Sequence, residues 1–405
     1  MDSKNRIGRR EFIATSAGAL VVGLGSARGG APITNIHEAA DKVGQIPRRH
    51  LDRSGRKVSV LIGAADWAPE AVEAGILCGI NYWHKSQKWA DGGAPSTILK
   101  NREAYYCEIA VDRVNGNHET GVIDGEADYR FVKDRLERTG LRYFDDMLLH
   151  FGYHNVAEIK ENRGFIRAYD RLKKEGLVRH MALSQHSYNG NIKVPGGEDR
   201  VGILNAVLEE GLYEHAQFAY TFGDTEALNN FVSLAKSKGF GTTAMKTAAG
   251  TSRMQADGNF MSKFPAGTTP HHALARWLTT STDLSTAVIQ LTSLDQFVDT
   301  YSGAGKQLRA ADARAIEMMT EYANREVCRL CNDCMSHCSE GLAIADILRY
   351  ERYATDYGDR ERARRLYAEL DRRADGCQVC GDCLPHCPQG LKIPAKLADA
   401  HRLLS

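Results

Sequence analysis

Residues 200–246 read RVGILNAVLEEGLYEHAQFAYTFGDTEALNNFVSLAKSKGFGTTAMK, and one alternation occurs twice within them. Arg200–Glu210 carries apolar residues at helical spacing, and Gln217–Thr221 is a short strand-like run. Thr225–Ser237 is helical again behind the capping residue Asp224, and Gly241–Met245 is a second strand. The same alternation extends outward as far as Lys57. Further strands are expected at Val58–Gly63, Gly79–His84, Tyr105–Val111, Met147–Phe151, Val178–Ser184 and Ala287–Leu291. Helices are expected at Pro69–Ala74, Glu126–Arg138, Asn155–Lys174 and Pro270–Ser281, the last entered through Thr269. Between strands two and three, Ile98–Asn101 gives no convincing helix. Eight such units over about 250 residues predict an α/β fold, a (β/α)8 TIM barrel. An open doubly wound sheet is disfavoured, because no glycine-rich dinucleotide fingerprint follows an early strand.

In such a barrel the chemistry lies at the C-terminal ends of the strands. Those ends supply Tyr82, Trp83, His84 and Lys85, then Asp112 and Arg113, then His150. Ser184, Gln185, His186, Tyr220, Lys246, Thr247 and Gln290 complete the rim. An isolated histidine is ordinarily a satisfied structural residue. Several titratable groups on one rim point instead to an active or binding site, with His84, Lys85, His150 and Lys246 as catalytic candidates.

The whole chain of 405 residues is 43% apolar and 25% charged, with a formal net charge of +1. That balance gives no electrostatic argument for nucleic acid or for a membrane surface. The mixed-sign run Arg360–Arg365 is expected to be a solvated helix face. At the N-terminus, Arg9-Arg10-Glu11-Phe12-Ile13 precedes the small apolar stretch Ala14–Leu24 and resembles a twin-arginine export signal. The apolar run is short of the roughly twenty residues a membrane span needs, so membrane association would require an uncleaved signal. The expected organisation is a signal over 1–31, a linker over 32–56, the barrel over 57–310 and a cysteine-rich domain over 311–405, in a periplasmic protein.

Of ten cysteines, Cys78 and Cys107 sit in apolar surroundings and read as small buried hydrophobes. The other eight form an internal repeat. Cys328-x2-Cys331-x2-Cys334-x3-Cys338 recurs as Cys377-x2-Cys380-x2-Cys383-x3-Cys387, and Asp333/Asp382, His337/His386, Gly341/Gly390, Leu342/Leu391 and Ile344/Ile393 share the offset. This is the spacing of two-cluster ferredoxins, in which the fourth cysteine of each run serves the other cluster. Two [4Fe–4S] clusters are expected, one on Cys328, Cys331, Cys334 and Cys387, the other on Cys377, Cys380, Cys383 and Cys338. Zinc would usually take paired CxxC knuckles instead. The twin-arginine route carries folded proteins, which suits clusters loaded before export. Cysteines sent unfolded into an oxidising compartment would be expected to pair as disulfides. Between the runs, Ile347–Tyr357 and Glu361–Ala374 read as helices.

Tyr143–His150 (YFDDMLLH), Val178–Ser184 (VRHMALS), Met245-Lys246 and Ala273–Leu278 (ALARWL) follow the order and spacing of the aldo/keto reductase family. The resemblance covers roughly residues 57–305, and with the tail it is nearest to the ferredoxin-tailed branch. It implies a TIM barrel, NADPH and carbonyl reduction. Matched by position, the family's aspartate falls on His84, its tyrosine on Trp89 and its histidine on His150. Its lysine has no counterpart among Ala110, Val111 and Asp112. After strand eight, where the family holds the 2′-phosphate of NADPH, the chain offers Thr292, Ser293 and Asp295 but no Lys or Arg. Thr292 and Ser293 could hold a phosphate through a helix start, though Ser-Leu-Asp also reads as a helix N-cap. The expected function is an exported iron–sulfur oxidoreductase with a small-molecule substrate at the barrel rim and a redox partner protein. The alternative is a non-catalytic electron-transfer subunit whose degenerate barrel docks that partner.

Overall fold

The structure is a computed structural model that describes residues 32–111, 124–153, 155–161, 163–185, 200–222, 226–248, 250–330, 332–356 and 358–405. Ten strands are found among them. A short antiparallel hairpin pairs β1 (Arg48–His50) with β2 (Lys57–Ser59). The barrel strands are β3 (Leu61–Ala64), β4 (Tyr82–His84), β5 (Tyr106–Val111), β6 (Phe144–Leu149), β7 (Val178–Gln185), β8 (His215–Ala219), β9 (Gly241–Met245) and β10 (Thr286–Val288). They pair in parallel in sequence order, and β10 pairs with both β9 and β3 to close the barrel. Parallel strands bury both faces, and β3, β4, β6, β8, β9 and β10 are buried along their whole length.

The expected strand Val58–Gly63 is divided. Its first half pairs with Arg48–His50, a strand too short and too charged to show periodicity, and only its second half enters the barrel. Met147–Phe151 is displaced: β6 starts at Phe144 and stops at Leu149, because Asp145 and Asp146 interrupt the apolar run yet are buried in it. The expected linker is also structured. Ile36–Val43 is a helix capped by Asn35, with Ala39 and Val43 in the barrel's apolar core. Ser96–Lys100 forms one helical turn between 3-10 segments, where no convincing helix is expected. After β10, the helix Ala310–Glu326 inserts Ala315, Met319, Tyr322 and Ala323 into that same core, so the cysteine-rich part begins beyond it. Thr269 caps Pro270–Thr280 as expected, its side chain accepting from the His272 amide at 3.1 Å. Asp224 and residues 1–31 lie outside the described residues.

One glycine is dictated by packing. A Cβ at Gly63 would lie 2.3 Å from Cζ3 of Trp83, so the buried indole on β4 requires a bare backbone on β3. The N-terminal end of the barrel is closed by charge. Arg56, from the hairpin, is buried and donates through Nη1 to Asp146 Oδ2 at 2.6 Å and through Nη2 to Asp52. Burial opposes the guanidinium charge, but Asp146 and Asp52 outweigh it and raise its pKa. Arg56→Met would leave two buried carboxylates without their cation. It is expected to destabilise by about 3–5 kcal/mol, read as a lower urea midpoint, and adding Asp146→Asn should recover part of the loss.

Candidate functional site

The barrel interior is polar toward its mouth. Glu108, in the middle of β5, lies at the level of His84 at the end of β4. His84 Nδ1 bonds to Glu108 Oε1, and the Tyr82 hydroxyl donates to Oε2 at 2.9 Å. Burial alone would raise the Glu108 carboxyl, but the His84 charge and hydrogen bonds hold it below its usual range. Tyr82 is pushed well above 10 by burial and by the Asp146 and Glu108 charges, so it remains a donor. With Glu108 ionised, Nδ1 carries hydrogen, and Nε2 has no protein partner among the described residues. A carboxylate thus fixes the imidazole tautomer and leaves its second nitrogen for proton transfer.

Sequence reasoning missed Glu108. The available signal was a lone carboxylate inside YCEIAV, an otherwise apolar strand.

The other candidates are dispersed. Lys85, Phe151 and Lys246 all have left-handed backbones (φ 54°, 68° and 54°) just beyond strands β4, β6 and β9. Non-glycine residues pay for that conformation, and such strain gathers at functional rims. Lys85 reaches toward Asp66, with Nζ 3.9 Å from Oδ2. His150 is buried, its ring 4.1 Å from that of Phe151. Lys246 lines a separate cavity beside Arg352 and Cys328. Its pKa is driven well below 10.5 by burial and then by Arg349, Arg352 and Arg362.

Several rim residues are structural. Gln185 braces the Tyr153 backbone at both its N–H and its C=O, and Tyr220 stacks on Trp277 and donates to Asn229 Oδ1 at 2.8 Å. Ser184 is buried against Met245, and Trp89 packs on Trp83. Thr292 and Ser293 form a reciprocal cap with Gln296, whose amide donates to Ser293 Oγ at 3.3 Å. Asp112, Arg113 and His186 lie outside the described residues.

In the tail, the repeat extends to the backbone. Leu330 and Val379 are left-handed, as are Asn332 and Gly381, each pair sharing the cysteine offset. The helices Ile344–Thr355 and Ile393–Leu404 follow at that offset too, and their apolar faces share a second core with Tyr350 and Tyr367. One cavity is lined by Cys328, Cys334 and Cys387, another by Cys338, Cys377, Cys380 and Cys383. Ile344 lines both. Cys331 lies outside the described residues. The Leu330 and Leu391 amides donate to the Cys328 and Cys387 sulfurs, each at 3.4 Å. His337 and His386 stack face to face with centroids 3.3 Å apart. Among the described residues, no three Cys, His, Asp or Glu side chains close on a single ion; the cysteine sulfurs line cavities instead. Cys78 and Cys107 are buried away from these cavities.

Comparison with protein families and with curated proteins found no match to this chain. Among solved structures, an aldo-keto reductase from Bacillus halodurans in its holo form is similar at 16% identity and TM-score 0.48, over 68% of this chain and 96% of that one. An aldo/keto reductase from Brucella melitensis gives 16% and 0.48, over 68% and 98%. A putative aldo-keto reductase from Pseudomonas aeruginosa gives 17% and 0.47, over 66% and 99%. The barrel assignment rests on the strand order of this chain itself.

Glu108→Gln removes the charge that holds His84 and is expected to cost about 1–3 kcal/mol; Tyr82→Phe should cost about 1 kcal/mol. Because the folded Glu108 carboxyl is depressed, its contribution is complete at neutral pH and is lost as pH falls below about 4. Urea unfolding of the wild type and Glu108→Gln at neutral and acid pH should therefore converge on the acid side.

Proposed function

We propose that this chain is an exported iron–sulfur oxidoreductase of aldo/keto reductase type, moving electrons between a small substrate at the barrel mouth and a redox partner. The observation that carries the reading is the exchange of fourth cysteines. Cys387 shares a cavity with Cys328 and Cys334, while Cys338 shares one with Cys377, Cys380 and Cys383. That is the ligand distribution which the two-cluster spacing demands.

The donor set suits two [4Fe–4S] clusters, with Cys331 completing the first. When bound, such clusters supply one-electron transfer. The protein's own part is to hold and tune them: amides of Leu330 and Leu391 donate to ligand sulfurs, and Ile344, Leu348, Leu391 and Ile393 keep the first cavity apolar. At the barrel mouth, His84 holds a proton on Nδ1 against Glu108 and offers Nε2 to a substrate. This pair would take over the acid–base task, since Trp89 at the family's tyrosine position has no acidic hydroxyl.

The commitment of Thr292 and Ser293 to a helix cap favours clusters over NAD(P)H as the source of reducing equivalents. On the outer side, Cys380 is exposed beside Val379 (70% exposed) and Leu384 (41% exposed), an approach for a redox partner protein. The paired arginines of the N-terminus support export to the periplasm in folded form.

Anoxic purification should yield a brown protein with about eight irons per chain. Cys387→Ser should damage the cluster on Cys328 and Cys334 and spare the other, as read by iron content and electron paramagnetic resonance of the reduced protein. A colourless zinc protein would refute the proposal, and damage confined to the Cys377 cluster would refute the exchange. If Glu108→Gln and His84→Gln leave substrate turnover unchanged while partner reduction continues, the barrel is a docking module and not an active site.

A further inference from the structure

The repeat lets the surroundings of the two cysteine cavities be compared position by position. Exposure does not separate them. Cys334 and Cys383 are equally buried, each 7% exposed, while Cys328 matches Cys377 and Cys338 matches Cys387 as half-buried residues. The remaining pair is Cys331, outside the described residues, and the exposed Cys380.

Polarity does separate them. Glu340 lines the cavity of Cys377, Cys380 and Cys383, and its counterpart in the repeat, Gln389, lines the cavity of Cys328 and Cys334. One half thus carries a carboxylate where the other carries a neutral amide. Arg372 offsets that carboxylate only in part, since it stands 4.0 Å away and is 62% exposed. The backbone amides differ in the same sense. Leu330 N–H donates to Cys328 Sγ and Leu391 N–H to Cys387 Sγ, each at 3.4 Å, and both sulfurs line the first cavity. Among the described residues, the counterpart amides of Val379 and Leu342 make no such bond to Cys377 or Cys338. Arg329 lines the first cavity where the second has Gln378, but it is engaged with Thr221 and Asn324, and Glu340 and the amides suffice without it.

An iron–sulfur centre gains one negative charge on reduction, and its potential follows the charges and sulfur hydrogen bonds around it. A neighbouring carboxylate opposes the added charge. An N–H donor to a ligand sulfur favours it. Both differences therefore point the same way.

We propose that Glu340 sets the Cys377 cluster at a lower reduction potential than the Cys328 cluster, so that electrons pass inward from the exposed run to the run beside the barrel. The step is one electron: the reduced Cys377 cluster is oxidised and the oxidised Cys328 cluster is reduced. The reductant is the redox partner protein, approaching at Cys380. Cys328 shares a cavity with Thr221 and Lys246, just beyond β8 and β9, so the barrel side receives the electrons. The chain is then a reductase of its small substrate and not an oxidant of it. This rests on the iron–sulfur reading above and adds a direction to it.

The test is anoxic potentiometric titration of the full chain followed by electron paramagnetic resonance, with iron assayed on the same sample. Two one-electron midpoints are expected, at least about tenfold apart in reduction equilibrium constant, or about 59 mV. Glu340→Gln should raise the lower midpoint by about that amount and move the upper one less. Gln389→Glu should lower the upper midpoint. Both variants exchange an amide and a carboxylate of nearly equal size at half-buried positions, so the fold is expected to be kept. A single unresolved wave in the wild type, or Glu340→Gln midpoints equal to those of the wild type, overturns the inference. A shift confined to the upper midpoint does so too. Any of these results with about eight irons present leaves the oxidoreductase reading standing, whereas a chain without iron sinks that reading and this one together.

Discussion

Inside the closed barrel, acidic side chains are offset by their neighbours. Glu108 and Asp146 face each other in register on β5 and β6, Asp146 held by Arg56 and Glu108 by His84 and Tyr82. A fully buried carboxylate is tolerated only when it is paired and hydrogen-bonded. The hairpin that delivers Arg56 is therefore part of the barrel and not an approach to it. Its position is secured further by Arg49, which donates to the carbonyls of Thr279, Ser281 and Leu284. The same balance leaves an imidazole nitrogen, His84 Nε2, without a protein partner among the described residues.

Periodicity made the barrel legible where helices and strands carried clean patterns. The helix Arg200–Glu210 and the strand Gly241–Met245 fall where the sequence puts them, residue for residue. It failed where burial and polarity part company. Asp145 and Asp146 look like a break before β6 but lie within it, because Arg102 and Arg56 supply their partners. Glu108 was missed for the same reason: the lone carboxylate in YCEIAV takes its partners from a different strand, which a local reading does not supply. The hairpin β1 is three residues long and mostly charged, below the reach of any periodic signal. For the cysteines, spacing supplies a rule that sets the fourth cysteine of each run with the other run, and Cys387 lines a cavity with Cys328 and Cys334. The rim residues had no such rule, and the structure scatters them.

The cysteine-rich part is tied to the barrel by polar contacts as well as by chain. Arg253, in the short helix Thr251–Ala256 after β9, donates to Glu351 and Thr355 of the helix Ile344–Thr355 and to its C-cap Asp356, and Lys396 pairs with Glu326. Arg329 bonds back to Thr221 beyond β8. These links seat the first cysteine run against the ends of β8 and β9, while Cys380 of the second run is exposed. The two cysteine-lined cavities adjoin at Ile344.

The proposed exchange of fourth cysteines has a geometric consequence. A single half of the repeat, standing alone, supplies a loop of three sulfurs and a fourth that leads away from it. It can complete no centre by itself, but two identical halves complete two centres by reciprocal donation. Within this one polypeptide the two halves match in backbone at Leu330 and Val379 and at Gly341 and Gly390, and His337 stacks on its counterpart His386. The two halves differ where Ser339 in the first corresponds to Pro388 in the second.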